Sequence, residues 1–515
     1  MAQAARPTLE RSAAGNHNPW LVALVVSLAT FMEVLDTSIA NVSLQHIAGS
    51  MAASQDESTW VLTSYLVSNA IVLPISGWLA RVVGRKRFYM LCVGLFGVSS
   101  LLCGLAPSLG LLVFFRILQG LGGGGLAPSE QSILADTFTP EKRGQAFALY
   151  GIAVVVAPTL GPTLGGWITD SYSWRWIFLI NVPVCALSLF LSGMILVDPP
   201  LVRREREEAV RGGVRIDYLG IVLVATGLGC LQVVLDKGQE EDWFASNFIL
   251  VFAIVSGLSL VFLVIWELWH KDPIVDIPLM RDKSFAAALG AMFVTGFILL
   301  STTQMLPQFL QAMMGYSAMR AGLALTAGGV ATLFMMPIVG NLVRHVQPKY
   351  MIAFGLVIEA VACYHLRGFT TDVSFSHVAW ARVLQAVGLP FLFVPISTVA
   401  YAGLPPGKNN NASALINTMR NLGGSFGISL AVTLLARRGQ FHHSRLVETV
   451  NVFQPATQHA TPQALRTLER AIQQQAEMGS YIDVFWLLAV IAAVAVPLLL
   501  LLLRRVEPGG AAVGH

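Results

Sequence analysis

Apolar runs of about twenty residues recur along almost the whole chain, separated by short polar segments. A run of this length is what a helix needs to cross the hydrocarbon core of a bilayer. The runs are continuous rather than alternating, so they predict helices and not the strands of a membrane barrel. About fourteen spans are predicted, at 20–43, 58–80, 88–106, 109–134, 144–168, 176–197, 216–236, 247–268, 284–306, 320–343, 350–368, 376–402, 411–436 and 481–503.

Composition agrees with an all-α polytopic membrane protein. Of the 515 residues, 55% are hydrophobic and only 12% are charged, whereas soluble domains carry about 25% charged residues. The five cysteines sit inside apolar runs at unrelated spacings, which predicts neither a disulfide framework nor a metal site. The first apolar run is longer than the core of a signal peptide, so we expect it to be retained.

Basic residues concentrate in alternate connections between the predicted spans. If the amino terminus is cytoplasmic, the short outer loops hold only Arg175, Lys237, Arg320 and Arg367. The inner segments hold Arg81, Arg85, Lys86, Arg87, Lys142, Arg143, Arg203, Arg204, Arg206, Arg211, Arg215, Lys271, Arg281, Lys283, Arg344, Lys349, Lys408, Arg504 and Arg505. This is the positive-inside pattern, so both termini are expected in the cytoplasm.

An internal repeat relates the two ends of the chain. One constant offset pairs Arg116 with Arg382, Gln119 with Gln385, Pro140 with Pro406, Lys142 with Lys408, and Gly161 with Gly427. Two halves of six helices in the same orientation are a known transporter architecture. The predicted parts are a cytoplasmic segment 1–18, a six-helix bundle 19–197, a cytoplasmic linker 198–215, two inserted helices 216–270, a second six-helix bundle 271–504 with an outer loop 438–480, and a cytoplasmic tail 505–515.

The outer loop contains apolar residues at helical spacing over 462–477, which predicts an amphipathic helix. Such a helix either packs on the outer mouth of the protein itself or docks a partner. The sequence leaves both readings open.

Two carboxylates, Glu33 and Asp36, stand inside the first apolar run, on neighbouring faces of one helix turn. An ionised carboxylate at mid-membrane costs about 2.5–3.5 kcal/mol on insertion scales, so it needs a cation, a wet cavity or partial protonation. The alternative is an acid at headgroup level that water solvates. Arg116 is the only cation deep in the first half. We hypothesise that it pairs with Asp36 or Glu33 in one state and that protonation of the acid releases it, as proton coupling requires.

The second half is chemically different. Thr302 stands where the repeat matches Asp36, so the corresponding helix lacks the acid. Gln304, Gln308 and Gln311 share one face of that helix, as a hydrogen-bonding wall of a cavity or as side chains that reach to the outer mouth. A structural ion-pair network is predicted from Glu359, Arg382, Gln385, Asn417 and Arg420.

Several further residues are assigned to the substrate path. Glu130 and Gln131 lie towards the inner end of the fourth span and are expected at the inner mouth. Methionines offer adaptable apolar surface, which suits weak selectivity. The predicted cavity residues are Asn41, Gln119, Gln304, Gln308, Glu359 and Met32.

The fifth span is marked by glycines four apart and by two prolines. Glycines at this spacing let another helix approach closely, and prolines kink the helix. The residues are Pro158, Gly161, Pro162, Gly165 and Gly166. This stretch resembles the antiporter motif of the major facilitator superfamily.

Other stretches strengthen that resemblance. Gly77–Arg87 resembles the superfamily motif between the second and third spans, and Phe115–Gly120 resembles the fourth-span motif whose arginine serves proton coupling. Leu35–Val42, Trp174–Pro183 and Asp272–Asp276 resemble motifs of the fourteen-helix drug:proton antiporters of the EmrB/QacA type. The resemblance implies a gate in the loop between the second and third spans, formed by Gly77, Arg81, Gly84, Arg85 and Arg87. Arg81 stands where the family usually has an aspartate, which places the usual gate mechanism in doubt.

The resemblance implies a proton-driven multidrug efflux transporter of the bacterial inner membrane that alternates access between two bundles. It also implies hydrophobic drugs as substrates, a periplasmic adaptor of the EmrA type and an outer-membrane channel of the TolC type. An uptake carrier, or an exporter of one metabolite, on the same fold is the alternative. An enzyme, a cofactor or ATP drive is not expected, because no metal-spaced cluster is present and Gly122–Gly125 lacks the lysine of a phosphate loop.

Overall fold

The structure is a computed structural model that describes residues 18–199, 202–204, 206–207, 216–270, 273–370, 373–402, 404–405, 407–449 and 461–503. The predicted terminal segments, most of the linker 198–215 and part of the loop 438–480 lie outside these residues. The fold is built from eighteen α-helices among these residues. They are α1 (Pro19–Val42), α2 (Leu44–Ser50), α3 (Gln55–Val83), α4 (Arg85–Leu105), α5 (Leu109–Gly123), α6 (Leu126–Thr137), α7 (Pro140–Ser171), α8 (Trp176–Leu179), α9 (Asn181–Ile195), α10 (Tyr218–Lys237), α11 (Asn247–Trp269), α12 (Lys283–Ala312), α13 (Ala318–Leu342), α14 (Pro348–Leu366), α15 (Phe375–Gly388), α16 (Pro390–Tyr401), α17 (Asn409–Thr449) and α18 (Pro462–Leu502).

The helices match the predicted spans closely. Among the described residues, thirteen helices or joined helix pairs are long and apolar enough to cross a membrane. The one remaining predicted span, 411–436, lies within α17, which is helical but too polar to meet the same criterion. The fold class of the prediction is therefore confirmed, with one span less apolar than the others.

Local signals set the helix ends. Asn18 accepts a hydrogen bond from the backbone N–H of Trp20 at the start of α1, and Ser54 and Glu57 form a capping box at the start of α3. Gly84 separates α3 from α4 with a φ of +96°, a conformation that glycine adopts without strain. These caps satisfy backbone groups that helix ends leave unpaired.

The helix α7 joins the two parts of the chain. It packs against α1 on one side and against α13 on the other. We use "first half" for α1–α9 and "second half" for α12–α18. The inserted helices α10 and α11 pack against each other, and α10 also contacts α3 and α17. The inserted pair thus lies beside the contact between the halves.

The two longest helices form a hairpin. Each of α17 and α18 has 41 residues, which gives about 60 Å at 1.5 Å per residue. This is about twice the hydrocarbon thickness of a bilayer, so both helices extend beyond it. Arg438 Nε donates to Asp483 Oδ2 at 2.5 Å, and His442 Nε2 lies 2.8 Å from the same oxygen. These contacts join the two helices where they leave the apolar region.

This hairpin corrects one prediction. The helix over 462–477 is confirmed, but it is the first part of α18 and continues without a break into the last span. The described flanks of the predicted outer loop 438–480 are helical, because the α17 and α18 extensions support each other. From 462 to 475 the side chains are exposed or partly exposed, so this part does not pack on the outer mouth.

Candidate functional site

A buried ion pair between α1 and α5 is the centre of the site. Arg116 Nη1 donates to Asp36 Oδ2 at 2.6 Å, and the two side chains are 0% and 1% exposed. The Nε of Arg116 donates to the carbonyl of Val61 at 2.9 Å, and the guanidinium lies 4.3 Å from the ring centre of Tyr65. Of the two predicted partners of Arg116, this conformation contains the pair with Asp36.

Amide side chains complete the coordination of the carboxylate. Gln119 Nε2 donates to Asp36 Oδ1 at 3.1 Å, and Asn181 Nδ2, at the start of α9, donates to the same oxygen at 2.6 Å. Asn181 also donates to Ser100 Oγ at 3.0 Å. Arg116, Gln119 and Asn181 thus supply the hydrogen bonds that a buried carboxylate needs. Asn181 was not among the predicted site residues, although a polar amide within an apolar run is a signal of a buried polar site.

Glu33 lies one turn away in a different environment. Asn69 Nδ2 donates to Glu33 Oε1 at 3.1 Å, whereas Glu33 Oε2 is buried without a hydrogen-bond partner among the described residues. Glu130, on α6, accepts a hydrogen bond from Thr30 of α1. Arg420 of the second half is the cation that faces both carboxylates. Glu33 therefore faces the contact between the halves rather than Arg116.

Glu130 and Gln131 are not at an inner mouth in this conformation. Both are essentially fully buried, at 0% and 1% exposure. Gln131 Oε1 accepts a hydrogen bond from Asn417 Nδ2 at 2.9 Å, and Arg420 Nη1 donates to Tyr150 at 3.2 Å. In this conformation neither residue lines an open mouth. Gln131 bonds across the contact between the halves, whereas Glu130 bonds to Thr30 within the first half and its Oε1 has no hydrogen-bond partner among the described residues.

The glycine- and proline-rich stretch of α7 lies directly against α1, beside the ion pair. Ser38 Oγ donates to the carbonyl of Pro158 at 3.0 Å. A Cβ atom on Gly161 would overlap the Ser38 side chain, and one on Gly165 would lie 3.1 Å from Ile39 Cγ2. The glycines thus let the two backbones approach more closely than any other residue would allow.

The opposite face of α7 reaches the second half. Gly322 and Gly329 of α13 lie against Thr163 and Thr159 of α7. Because α7 touches both α1 near Asp36 and α13 across the contact, it links the ion pair to the relative position of the two halves. Because protein interiors are closely packed, a change in the ion pair that moves α1 also changes the contacts of α7 with α13.

The same hydrogen-bond chain recurs in the second half without the acid. Arg382 Nη1 donates to Gln385 Oε1 at 2.5 Å, and Gln385 Nε2 donates to Thr302 Oγ1 at 2.8 Å. In the first half, Arg116 Nη1 donates to Gln119 Oε1 at 2.9 Å, and Gln119 in turn donates to Asp36. The hydroxyl of Thr302 thus occupies the place of the carboxylate, as the repeat predicts.

The members of the predicted second-half network do not all bond to one another in this conformation. Asn417 and Arg420 bond to the first half, as described above. Glu359 makes no ion pair with Arg382 among the described residues. Sequence spacing placed these residues on neighbouring helices but could not give the direction in which each side chain points.

Comparison with known proteins identifies the family. The family model of the Major Facilitator Superfamily matches residues 26–428. The chain is 39% identical to the "Probable multidrug resistance protein EmrY" of Escherichia coli (strain K12), over 85% of this chain and 84% of that protein. It is 36% identical to the "Multidrug export protein EmrB" of the same organism, over 91% of this chain and 92% of that protein.

The chain belongs to the major facilitator superfamily. Within it, the chain belongs to the group that contains EmrY and EmrB, as the motifs predict. The solved structure of the proton:xylose symporter XylE has the same fold, with a TM-score of 0.63, 15% identity, and coverage of 96% of this chain and 97% of that one. At that identity the likeness concerns the fold alone.

The superfamily loop motif between α3 and α4 forms part of a contact between the halves. A Cβ atom on Gly77 would lie 2.8 Å from Asn411 Oδ1 and 2.9 Å from Asn411 Cα at the start of α17. Arg85 is 2% exposed and forms an ion pair with Asp136 at the end of α6. Asn409 Nδ2 also donates to Asp136 Oδ1, at 2.5 Å. Asp136 therefore joins a motif arginine to the second half.

The remaining gate residues take different positions. Arg81, the departure from the superfamily pattern, is partly buried, and its Nε has no hydrogen-bond partner among the described residues. Arg87 is exposed. A second charge contact lies nearby, because Lys408 Nζ donates to Asp276 Oδ2 at 2.5 Å and Asn411 Nδ2 donates to the same oxygen at 3.0 Å.

The predicted cavity residues of this superfamily member do not form one surface. Gln119 belongs to the ion-pair cluster, and Glu359 is fully buried in the second half. Asn41 and Gln308 are exposed, Gln304 is partly buried and Met32 is buried. Contact of these residues with a substrate stays a prediction.

Proposed function

We propose that this chain is a proton-driven multidrug efflux transporter. The observation that carries the proposal is the buried Asp36–Arg116 pair, which lies against the glycine-rich face of α7. EmrY and EmrB, named as multidrug resistance and export proteins, support drugs as the class of substrate. We expect hydrophobic compounds, as the resemblance to exporters of the EmrB type implies.

The coupling mechanism follows from the coordination of Asp36. When the carboxylate takes up a proton, it loses its ionic attraction to Arg116. The protonated oxygen then donates a hydrogen bond, although the groups around it, Arg116, Gln119 and Asn181, are also donors. The site then favours a different arrangement of α1 and α5. Because α7 contacts both α1 and α13, that rearrangement alters the contact between the halves, as alternating access requires. The electrical part of the driving force supplies about 2.3 kcal/mol per charge per 100 mV.

The proposal includes the setting of the pump. Two six-helix bundles with an inserted pair, both termini in the cytoplasm and residence in the bacterial inner membrane agree with the basic residues of alternate connections. The α18 extension offers an exposed face that includes Leu465, 46% exposed. Such a face supports docking of a periplasmic adaptor that leads to an outer-membrane channel. Crosslinking from Leu465→Cys to a co-expressed adaptor tests this part, and crosslinks only within the chain would contradict it.

The decisive experiment is drug-dependent proton efflux from acid-loaded proteoliposomes. We expect efflux with wild-type protein for several hydrophobic fluorescent compounds, and its loss in Asp36→Asn. Glu57→Gln is the matched control, because Glu57 is an exposed carboxylate at the start of α3. Full coupled export by Asp36→Asn would remove the coupling role from Asp36. Proton influx together with the drug would instead indicate an uptake carrier.

A further inference from the structure

Another buried carboxylate lies in the second half, on α14. Glu359 is 0% exposed, and neither carboxylate oxygen has a hydrogen-bond partner among the described residues. Gly388 of α15 leaves room for the group, since a Cβ atom there would lie 3.1 Å from Glu359 Oε1. This is a space that holds a carboxyl group but does not bond it in this conformation.

The nearest cation is bonded elsewhere. Arg382 is 1% exposed and donates to Gln385, not to a carboxylate. Its Nε has no hydrogen-bond partner among the described residues. The equivalent Arg116 has its carboxylate at 2.6 Å. The second half therefore contains the arginine and the glutamine of the first-half cluster, with the acid displaced to another helix.

The surroundings of Glu359 favour the neutral acid in this conformation. An ionised carboxylate without a hydrogen bond or a paired cation is strongly disfavoured in an apolar interior, and such a group takes up a proton instead. The charged and polar groups that face it are Arg382 and Gln385 on α15 and Cys363 on α14 itself. Within the described residues, α16 and α18, which also pack on α14, add no charged group to this set.

We propose that Glu359 is a second exchangeable proton site, whose proton is exchanged for an ion pair with Arg382. In the protonated state, which the contacts of this conformation favour, Arg382 bonds to Gln385 and the carboxyl group is neutral. When the second half opens, the O–H proton leaves to water, and the carboxylate formed accepts a hydrogen bond from Arg382, which releases Gln385. Uptake of a proton reverses both changes.

This proposal rests on the proposed proton-driven function and extends it. Asp36 and Glu359 lie in opposite halves and each faces the arginine of its own half. If each exchanges one proton in a cycle, two protons move per drug molecule, and the second site responds to the conformation of the second half alone. Removing Glu359 as a proton carrier then leaves transport that is coupled to one proton only.

The first test needs no drug. Infrared difference spectra of the purified full chain, recorded between acidic and alkaline buffer, detect the carbonyl stretch of protonated carboxyl groups. We expect one pH-dependent carboxyl band to be missing in Glu359→Gln and present in wild type and in Glu57→Gln. A full set of bands in Glu359→Gln would overturn the proposal, because Glu359 would then be ionised throughout. A band of Glu359 that persists unchanged in alkaline buffer would also overturn it, since the proton would not be exchangeable.

The second test measures the number of protons exchanged per drug molecule. In proteoliposomes this number follows from the drug gradient at which an imposed pH gradient drives no net flux. We expect this number to be halved in Glu359→Gln and unchanged in Glu57→Gln. An unchanged number in Glu359→Gln would overturn the proposal. Glu359→Met, which fills the site without polar atoms, serves if the glutamine variant fails to fold. Absence of any coupled flux in the wild-type protein would count against the proposed function. The infrared result would still decide whether Glu359 exchanges a proton.

Discussion

Replacing Gly77 by alanine is expected to open the contact between α3 and α17. The new Cβ atom would lie 2.8 Å from Asn411 Oδ1, 2.9 Å from Asn411 Cα and 3.1 Å from the carbonyl oxygen of Asn410. An ordinary carbon contact needs about 3.5–4.0 Å. Two of these atoms belong to the backbone, so a change of side-chain rotamer cannot relieve the overlap, and the helix ends must move apart by more than half an ångström.

The cost of that overlap sets the expected magnitude. Overpacking of this kind costs about 1–3 kcal/mol. The cost falls on the conformation in which these two helix ends touch and not on one in which they are apart. A difference of about 1–3 kcal/mol shifts a two-state equilibrium by roughly 5–150-fold. We therefore expect Gly77→Ala to populate the conformation that is open on this side.

Spin labels on the two helix ends measure the effect directly. Electron–electron distance measurements on labelled protein in lipid give the population of the open and closed arrangements, and Gly77→Ala should show a larger open fraction than wild type. Gly290→Ala is the matched control, since a Cβ atom there meets nothing within 4 Å. An unchanged distance distribution in Gly77→Ala, with the protein folded, would refute the assignment of this contact as a gate.

Two further outcomes test the site. Asp36→Asn should lower the free energy of unfolding by about 3–5 kcal/mol because it leaves Arg116 buried without its anion. Adding Arg116→Gln should recover part of that loss. If thermal unfolding shows that the two losses simply add, the two side chains are not coupled. Gly161→Ala should abolish coupled export by forcing α7 away from α1, and Ser38→Gly, which removes the overlapping side chain, should restore it. Gly257→Ala is the control, since a Cβ atom there meets nothing within 4 Å, and equal export by the two alanine variants would refute the close packing.

Sequence reasoning predicted the helical membrane architecture, the internal repeat and a pairing of Arg116 with Asp36 or Glu33. These features are visible along one chain because the bilayer penalises polar groups regardless of their partners. An acid in one apolar run and an arginine in another can be recognised as unusual from the sequence alone, before any contact is known. The repeat is likewise a matter of register, and the matching Arg–Gln chains of the two halves agree with it.

The partners of those residues depended on the tertiary structure. Asp36, and not Glu33, meets Arg116, because the rotation of α1 about its axis decides which of two neighbouring faces points at α5. Asn181 completes the carboxylate site from a helix far along the chain, and Glu359 faces Arg382 without forming an ion pair with it. Composition determines that a buried charge must be satisfied. Only the packing of helices distant in sequence decides by which group, and in which conformation.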